Sequence, residues 1–225
     1  SVLAQTYKNF ELVVVGDHCT DETDDVVSKI KDPRVRFYNI PKRGYRYPPT
    51  AENHWAVGPV VAHNTALKLV RGKWISRIDD DDIWTKDHLE SLLNFALKNN
   101  FEFVSGLVEE ERYGQNKIMP GVYADGPYFN PNTKVENRNS PQFGSPITWF
   151  YRSYLRFFKY NINCWRKSWN RINDPDMNMR MYKAGVRIGF LDQVLAYVTP
   201  RPGEQTIGLQ AYKQAEKEKL EHFKF

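Results

Sequence analysis

The apolar and polar positions of this chain alternate between short β-branched runs and longer segments with helical spacing. The run from Glu11 to Val15 is short and unbroken, which predicts a strand buried on both faces. Residues 20–31 open with a hydroxyl and carboxylates and then place apolar residues on one face, which predicts a helix. The same reasoning predicts strands over 35–38, 74–78 and 101–105, helices over 60–70, 85–98 and 177–184, and an amphipathic tail from Gln210.

Strands that alternate with helices predict an α/β fold with a mostly parallel central sheet flanked by helices. Two segments do not fit this alternation. Residues 41–58 form a long stretch rich in Pro, Tyr and Arg without periodicity, and loops of this length usually carry function. Residues 151–171 are the densest basic and aromatic stretch. We interpret this stretch as an amphipathic helix with the aromatic side chains inward, while stacking on bases or sugars, or contact with a membrane, stays open.

Length and composition restrict the class of protein. A chain of 225 residues can bury a core as one large domain or two closely packed lobes, and 41% hydrophobic with 14% aromatic residues excludes disorder. Cys19 and Cys164 have no metal-ligand spacing, and no apolar run approaches the roughly 20 residues that span a bilayer. We therefore expect a soluble or peripheral protein. Its net charge of +5 suits an anionic ligand, an acidic membrane surface or nucleic acid.

The most informative chemistry lies in the four consecutive carboxylates of residues 79–82, directly behind the predicted strand 74–78. Four neighbouring carboxylates raise one another's pKa unless a cation neutralises them, which indicates a divalent metal and phosphate chemistry. The alternative is a solvated acidic turn before the next helix. Asp17 also follows a predicted strand. Because ligands bind at the carboxyl ends of parallel strands, the two acidic sites predict one metal and nucleotide crevice.

Four segments in the same order resemble glycosyltransferase family 2 domains of the GT-A fold. They are residues 1–17 followed by 19–23, residues 63–67 ending at Gly72, the acidic run with Ile83 and Trp84, and residues 173–180 with Gly185. The resemblance spans most of the chain. It implies a GT-A-like α/β domain in which 1–100 bind the nucleotide sugar, 101–200 supply the acceptor side and the base, and 201–225 form a helical tail.

The resemblance also implies roles for individual residues. Asp79 and Asp81 become the outer residues of a DXD motif that holds Mn²⁺ or Mg²⁺, with Asp81 on the metal. The implied donor-binding residues are Asp17, on the base, together with Asn64, Asp79, Asp80 and Asp81. Asp174 takes the position of the catalytic base. Asp176 is a competing candidate, although two residues along a helix would point it to a different face.

The implied reaction is transfer of a sugar from a nucleoside diphosphate sugar to an acceptor hydroxyl, with inversion. A divalent ion neutralises the diphosphate leaving group, and a carboxylate accepts the hydroxyl proton. The acceptor would be a glycan or a lipid-linked or protein-linked saccharide, as in polysaccharide biosynthesis, and no nucleic acid is implied. Trp149 and Arg152 are predicted to stack on an acceptor sugar, with burial of Trp149 in the core as the alternative.

The sequence departs from the family pattern in places. The family's first strand should precede Ser1, so we expect the edge of residues 12–15 to need cover and the chain to be of low stability or self-associating. His63 and Asn173 replace the usual Arg and Glu. Two alternatives to the transferase stay open, a nucleotidyltransferase acting on sugar phosphates and a noncatalytic nucleotide or carbohydrate binding fragment. We expect a cytoplasmic location, with the inner face of a membrane as a peripheral site.

Overall fold

The computed structural model describes residues 1–42, 44 and 46–219. Its strands are β1 (Leu12–Gly16), β2 (Val35–Asn39), β3 (Trp74–Ser76), β4 (Asp82–Trp84), β5 (Phe103–Arg112), β6 (Gln115–Met119), β7 (Val122–Tyr123), β8 (Gln142–Phe143), β9 (Phe150–Arg152) and β10 (Ile188–Val198). Its α-helices are α1 (Thr23–Ser28), α2 (Ala51–Val57), α3 (Val60–Leu69), α4 (His88–Asn99), α5 (Asn173–Lys183) and α6 (Gly208–Lys219). Short 3₁₀ helices lie at Pro146–Thr148, Ser153–Phe157 and Ile162–Arg166.

The central sheet has six strands in the order β3-β9-β5-β10-β4, with β6 paired to β5. β1 and β2 form a separate parallel pair, and β7 and β8 a small antiparallel one. The predicted α/β class is confirmed, but the sheet is more mixed than predicted. β5 and β10 are parallel, whereas β9 is antiparallel to both its neighbours, as β4 is to β10. Strands from both predicted halves of the chain therefore build one sheet.

Two clusters of buried side chains pack on opposite faces of the sheet. Because successive residues of a strand face opposite sides, Phe103 and Tyr151 join one cluster while their neighbours Val104 and Phe150 join the other. Helix α5 contributes its methionines to the first cluster, and α4 contributes Leu89, Leu92 and Leu93 to the second. The central sheet is thus packed on both faces.

Two elements differ from the sequence prediction. Helix α2 lies inside the stretch 41–58 that we predicted to be irregular, of which residues 43 and 45 lie outside the described part. It begins where the Thr50 side chain accepts a hydrogen bond from the Asn53 amide at 3.2 Å. The predicted amphipathic helix within 151–171 is wrong. Its residues form the end of β9 and two 3₁₀ helices. The second 3₁₀ helix is a separate turn, since the Asn161 side chain caps its start by accepting from the Asn163 amide at 3.0 Å.

The predicted tail from Gln210 begins within α6, while residues 220–225 lie outside the described residues, so its amphipathic character stays a prediction. Among the helices described, none combines the length and the apolar character needed to cross a bilayer. Within the same residues β1 pairs only with β2. The expected low stability or self-association that would follow from an uncovered β1 edge stays a prediction.

The burial of His88 is expected to make the stability of the fold depend on pH. Its ring is fully buried, stacks on Trp84 with 4.0 Å between centroids, and donates from Nδ1 to the Leu195 carbonyl at 2.9 Å. Burial lowers the pKa of His88 from 6.5 to about 4, so between these values the unfolded chain binds a proton that the folded protein resists. We therefore expect the free energy of unfolding to fall by up to about 3 kcal/mol as the pH drops through this range.

The matched variant is His88→Asn, whose amide can still donate to Leu195. Its free energy of unfolding in urea should change less than that of the unmodified protein between about pH 7 and about pH 4.5. An equal change in both proteins would show that His88 is not the titrating group.

Candidate active site

Arg77 joins two of the predicted site residues. It follows β3 with only 11% of its side chain exposed, and it donates to Asp79 Oδ2 at 3.1 Å and to Asp174 Oδ1 at 2.8 Å. Asp174 lies 97 positions away, in the first turn of α5. The first carboxylate of the acidic run and the predicted catalytic base are therefore held by one guanidinium. The two negative charges also offset the cost of burying Arg77.

His63 completes this network from α3. Its Nε2 lies 3.3 Å from Asp79 Oδ1, and its Nδ1 lies 3.4 Å from Arg77 Nη1. Burial and the positive charge of Arg77 lower the pKa of His63, which keeps the ring neutral. Burial alone would raise the pKa of Asp79, but the charge of Arg77 and the hydrogen bond from His63 outweigh it and hold that pKa well below its usual range. Asp79 is thus a carboxylate anion that Arg77 and His63 hold by ion pairing and hydrogen bonding.

Aromatic rings form the floor beneath Arg77. The guanidinium carbon lies 5.9 Å from the Trp149 ring and 5.6 Å from the Tyr160 ring, within cation–π range. Asn64 fixes Tyr160, since its side chain donates to the Tyr160 carbonyl and accepts from the Tyr160 amide, each at 2.9 Å. The structure therefore places Asn64 as a support of the site, and its contact with a donor stays a prediction.

The structure corrects the two predicted acceptor residues. Trp149 is 0% exposed, and its indole nitrogen donates to the Gly144 carbonyl at 3.0 Å, so it offers no surface to a sugar. Arg152 pairs in register with Trp74, at the opposite end of β3 from the acidic run, and its guanidinium stacks on the Trp74 ring at 4.2 Å. The sequence pattern did not reveal which aromatic residues are buried in the core.

The remaining acidic residues meet Arg201 or one another. Arg201 Nε donates to Asp81 Oδ2 at 2.8 Å, and Asp80, 91% exposed, lies 3.9 Å from the same guanidinium. Burial and the charges of Asp79 and Asp81 raise the pKa of Asp82 to about 8. The four carboxylates of the acidic run therefore outnumber the two arginines that pair with them, Arg77 and Arg201, and this excess of negative charge favours a cation.

Asp17 directly follows β1 and is held by Arg46. Two hydrogen bonds of 2.7 Å join the guanidinium to both carboxylate oxygens, and the Arg46 side chain is 4% exposed. Arg46 comes from the stretch 41–58, and the functional role expected of this stretch stays a prediction.

The two carboxylates of α5 face different ways, as the helical spacing predicts. Asp174 meets Arg77, whereas Asp176 is buried between Lys167 and Arg180. Asp174 Oδ1 is the oxygen that accepts from Arg77, and in the described part of the chain Oδ2 accepts no hydrogen bond. This geometry leaves one oxygen of Asp174 available as a proton acceptor and leaves none of Asp176 unpaired.

A divalent ion at the acidic run would have to be shared with a ligand. Among the residues described, no three or more His, Cys, Asp or Glu side chains converge as a metal cage. Magnesium sites in proteins commonly use one or two carboxylates and complete their coordination with substrate phosphates and water. Both oxygens of Asp79 already accept from Arg77 or His63, whereas in the described residues Asp81 accepts a hydrogen bond only at Oδ2, from Arg201. Asp81 therefore has an oxygen left for such an ion, and the contact of Asp79 with a metal stays a prediction.

Sequence reasoning missed Arg46 and Arg201. Arg201 lies just beyond β10, whose register shifts between Leu191 and Val194 and again before Ala196, so the apolar alternation that would reveal the strand is broken. Arg77 is a residue whose partners the sequence could have suggested, because an arginine at a buried strand next to four carboxylates needs a negatively charged partner.

Sequence and structure comparisons identify the family and the fold. Residues 1–47 and 51–173 match the family described as glycosyl transferase family 2. The match covers most of the chain, and the protein belongs to this family. The fold also agrees, since TarS of S. aureus in complex with UDP-GlcNAc superposes with a TM-score of 0.64 at 21% identity, over 91% of this chain and 54% of TarS.

Two curated relatives from Escherichia coli carry more specific names. Both are UDP-Glc:alpha-D-GlcNAc-diphosphoundecaprenol beta-1,3-glucosyltransferases. WfgD is 38% identical over 109 residues, which are 48% of this chain and 38% of WfgD. WfaP is 30% identical over 132 residues, which are 58% of this chain and 45% of WfaP. The matched region thus spans less than half the length of either relative.

Proposed function

We propose that this chain carries the active site of a metal-dependent, inverting glycosyltransferase that acts on a lipid-linked saccharide. The observation that carries the proposal is the Arg77 bridge. It holds Asp79, a carboxylate of the predicted donor site, and Asp174, the predicted base, in one network at the carboxyl end of β3. The names of WfgD and WfaP support UDP-glucose as donor and a GlcNAc diphospholipid as acceptor.

On the donor side, Asp17 binds the base of the nucleotide, while Asp80 and Asp79 lie near the ribose or phosphates. Asp81 and Asp79 are the residues that would hold Mn²⁺ or Mg²⁺. The ion would neutralise the charge that develops on the diphosphate leaving group. Arg201 already pairs with Asp81, so it lies where it can contribute positive charge to the same phosphates.

On the acceptor side, Asp174 accepts the proton of the attacking hydroxyl. Arg77 orients the carboxylate through Oδ1 and leaves Oδ2 for the proton. A single base on one face of the sugar, with the leaving diphosphate on the other, gives direct displacement and inversion. In this arrangement residues 1–100 bind the donor, residues 101–200 supply the base and the acceptor surface, and a lipid-linked acceptor places the protein at the inner face of a membrane.

The transferase proposal is tested by incubating the protein with UDP-glucose, Mn²⁺ and a synthetic GlcNAc-diphosphate decyl ester. A β-linked disaccharide product, identified by NMR and abolished by a chelator, supports it. Turnover of UTP with a sugar phosphate in place of this product would support the nucleotidyltransferase alternative. Binding of UDP-glucose without any turnover would support the noncatalytic one.

Asp81→Asn should weaken the Mn²⁺-dependent binding of UDP. We expect a loss of about 1.5 to 3 kcal/mol, roughly tenfold or more, because a charged contact to the ion is removed. Calorimetry with and without a chelator measures this effect. Asp192→Asn, an exposed carboxylate of β10, is the matched control. Equal binding of UDP in Mn²⁺ and in chelator would contradict the metal site.

A further inference from the structure

An aromatic pocket lies beside the proposed base. Its volume is about 340 Å³, and its lining includes Trp55, Tyr128, Trp169, Ile172 and Pro175. Trp169 is 52% exposed although it is a large apolar side chain. Concave sites with aromatic walls and few polar groups are typical of small-ligand binding. The flat faces of such side chains suit the C–H face of a sugar ring.

The lining of the pocket places it next to Asp174. Pro175 directly follows Asp174 in the first turn of α5, and Ile172 is the residue that precedes this helix, so the pocket wall and the base share one turn. Desolvation raises the pKa of the Tyr128 hydroxyl, and the negative charge of Asp174 raises it further. Asp174 itself does not line the pocket, so a ring bound here would reach the base past the wall formed by Pro175.

A second pocket lies behind the same loop and is basic. Its volume is about 380 Å³, and residues 168–170 line both pockets. The second pocket adds Lys167, Arg180 and Lys183, against the single carboxylate of Asp176. Asp176 pairs with Lys167 and Arg180, whereas Lys183 forms no salt bridge within the described residues. Three cations against one anion leave a site that favours a negatively charged group.

We propose that the two pockets together bind the acceptor as a saccharide diphosphate. The acceptor sugar packs on Trp169 with a hydroxyl toward Asp174, and the diphosphate passes the 168–170 loop to meet Lys183 and its neighbouring cations. This inference rests on the proposed function and adds the acceptor residues that the sequence prediction misplaced at Trp149 and Arg152. The donor also carries a diphosphate, but its proposed ligands are at the acidic run, and none of them lines either pocket.

The test is direct binding, which needs no turnover. Calorimetry would compare two probes, the GlcNAc-diphosphate decyl ester and decyl GlcNAc without phosphates. Lys183→Glu should weaken binding of the diphosphate probe by about tenfold and change binding of the plain glycoside by less than about twofold. Trp169→Ala should weaken both probes by about fivefold or more, because both carry the sugar. Lys98→Glu, an exposed lysine at the end of α4, should change neither.

Several results would overturn the inference. These are equal binding of the diphosphate probe by the unmodified protein and Lys183→Glu, displacement of the probe by UDP, or no binding of either probe. Thermal unfolding of each variant checks that it folds. Transfer from UDP-glucose is measured separately, so absent transfer with the expected binding pattern refutes the proposed function alone. If transfer occurs but the diphosphate probe binds equally well to the unmodified protein and to Lys183→Glu, only this inference is refuted.

Discussion

Replacing Asp174 by Asn is expected to reduce sugar transfer by about 10² to 10⁴ while UDP binding in Mn²⁺ stays nearly unchanged. Asparagine keeps the shape of the side chain and can still accept from Arg77 through its oxygen, but it cannot take the proton of the acceptor hydroxyl. Transfer rates at saturating donor and acceptor, with UDP affinity measured on the same preparation, provide the check.

Asp176→Asn is the control for position along α5. Asp176 contacts Lys167 and Arg180 rather than Arg77, so its replacement should cost far less activity per folded molecule. It should lower stability instead, since it removes the charge between two cations. The opposite ranking of the two variants in transfer, with donor binding intact, would make Asp176 the base.

Replacing Arg77 by Met is expected to destabilise the protein by about 3 to 5 kcal/mol. The change removes the guanidinium that pairs with both Asp79 and Asp174, so the negative charges of these two carboxylates are no longer neutralised by Arg77. Urea unfolding followed by circular dichroism measures the loss. Arg71→Met is the matched control, because the Arg71 side chain is mostly exposed and its ion pair with Glu11 should contribute at most about 1 kcal/mol.

A triple variant separates lost charge balance from lost packing. Adding Asp79→Asn and Asp174→Asn to Arg77→Met removes the uncompensated anions, so part of the stability should return. If Arg77→Met alone costs less than about 1 kcal/mol, the bridge does not hold the site together.

Much of the candidate site followed from local sequence pattern. The apolar residues before the acidic run predict a buried strand, so the run was expected where that strand ends. Asp174 and Asp176 point to different sides of α5 because a helix turns about 100° per residue. Features that depend on distant packing did not follow. The burial of Trp149 is decided by the residues that surround it, including Phe103 from another strand.

The fold shows the same division. Strands with unbroken apolar runs, such as β1 and β2, were placed within a residue. β10 was missed because two register shifts break its alternation, and strand direction was misjudged because it depends on how connections cross the sheet. Helix α2 was missed because its seven residues are too short for a helical period to stand out from the stretch around it.

The bonds that fix the site also have a kinetic consequence. Arg77 reaches Asp174 across 97 positions, Asn64 reaches Tyr160 across 96, and Asn173 donates to the Ala56 carbonyl across 117. Contacts between residues so far apart in the chain form slowly, because the entropy cost of closing a long loop comes before the contact can stabilise the fold. We therefore expect Asp174 to contact Arg77 late in folding, and we expect recovery of transfer during refolding to lag behind recovery of the helical circular dichroism signal.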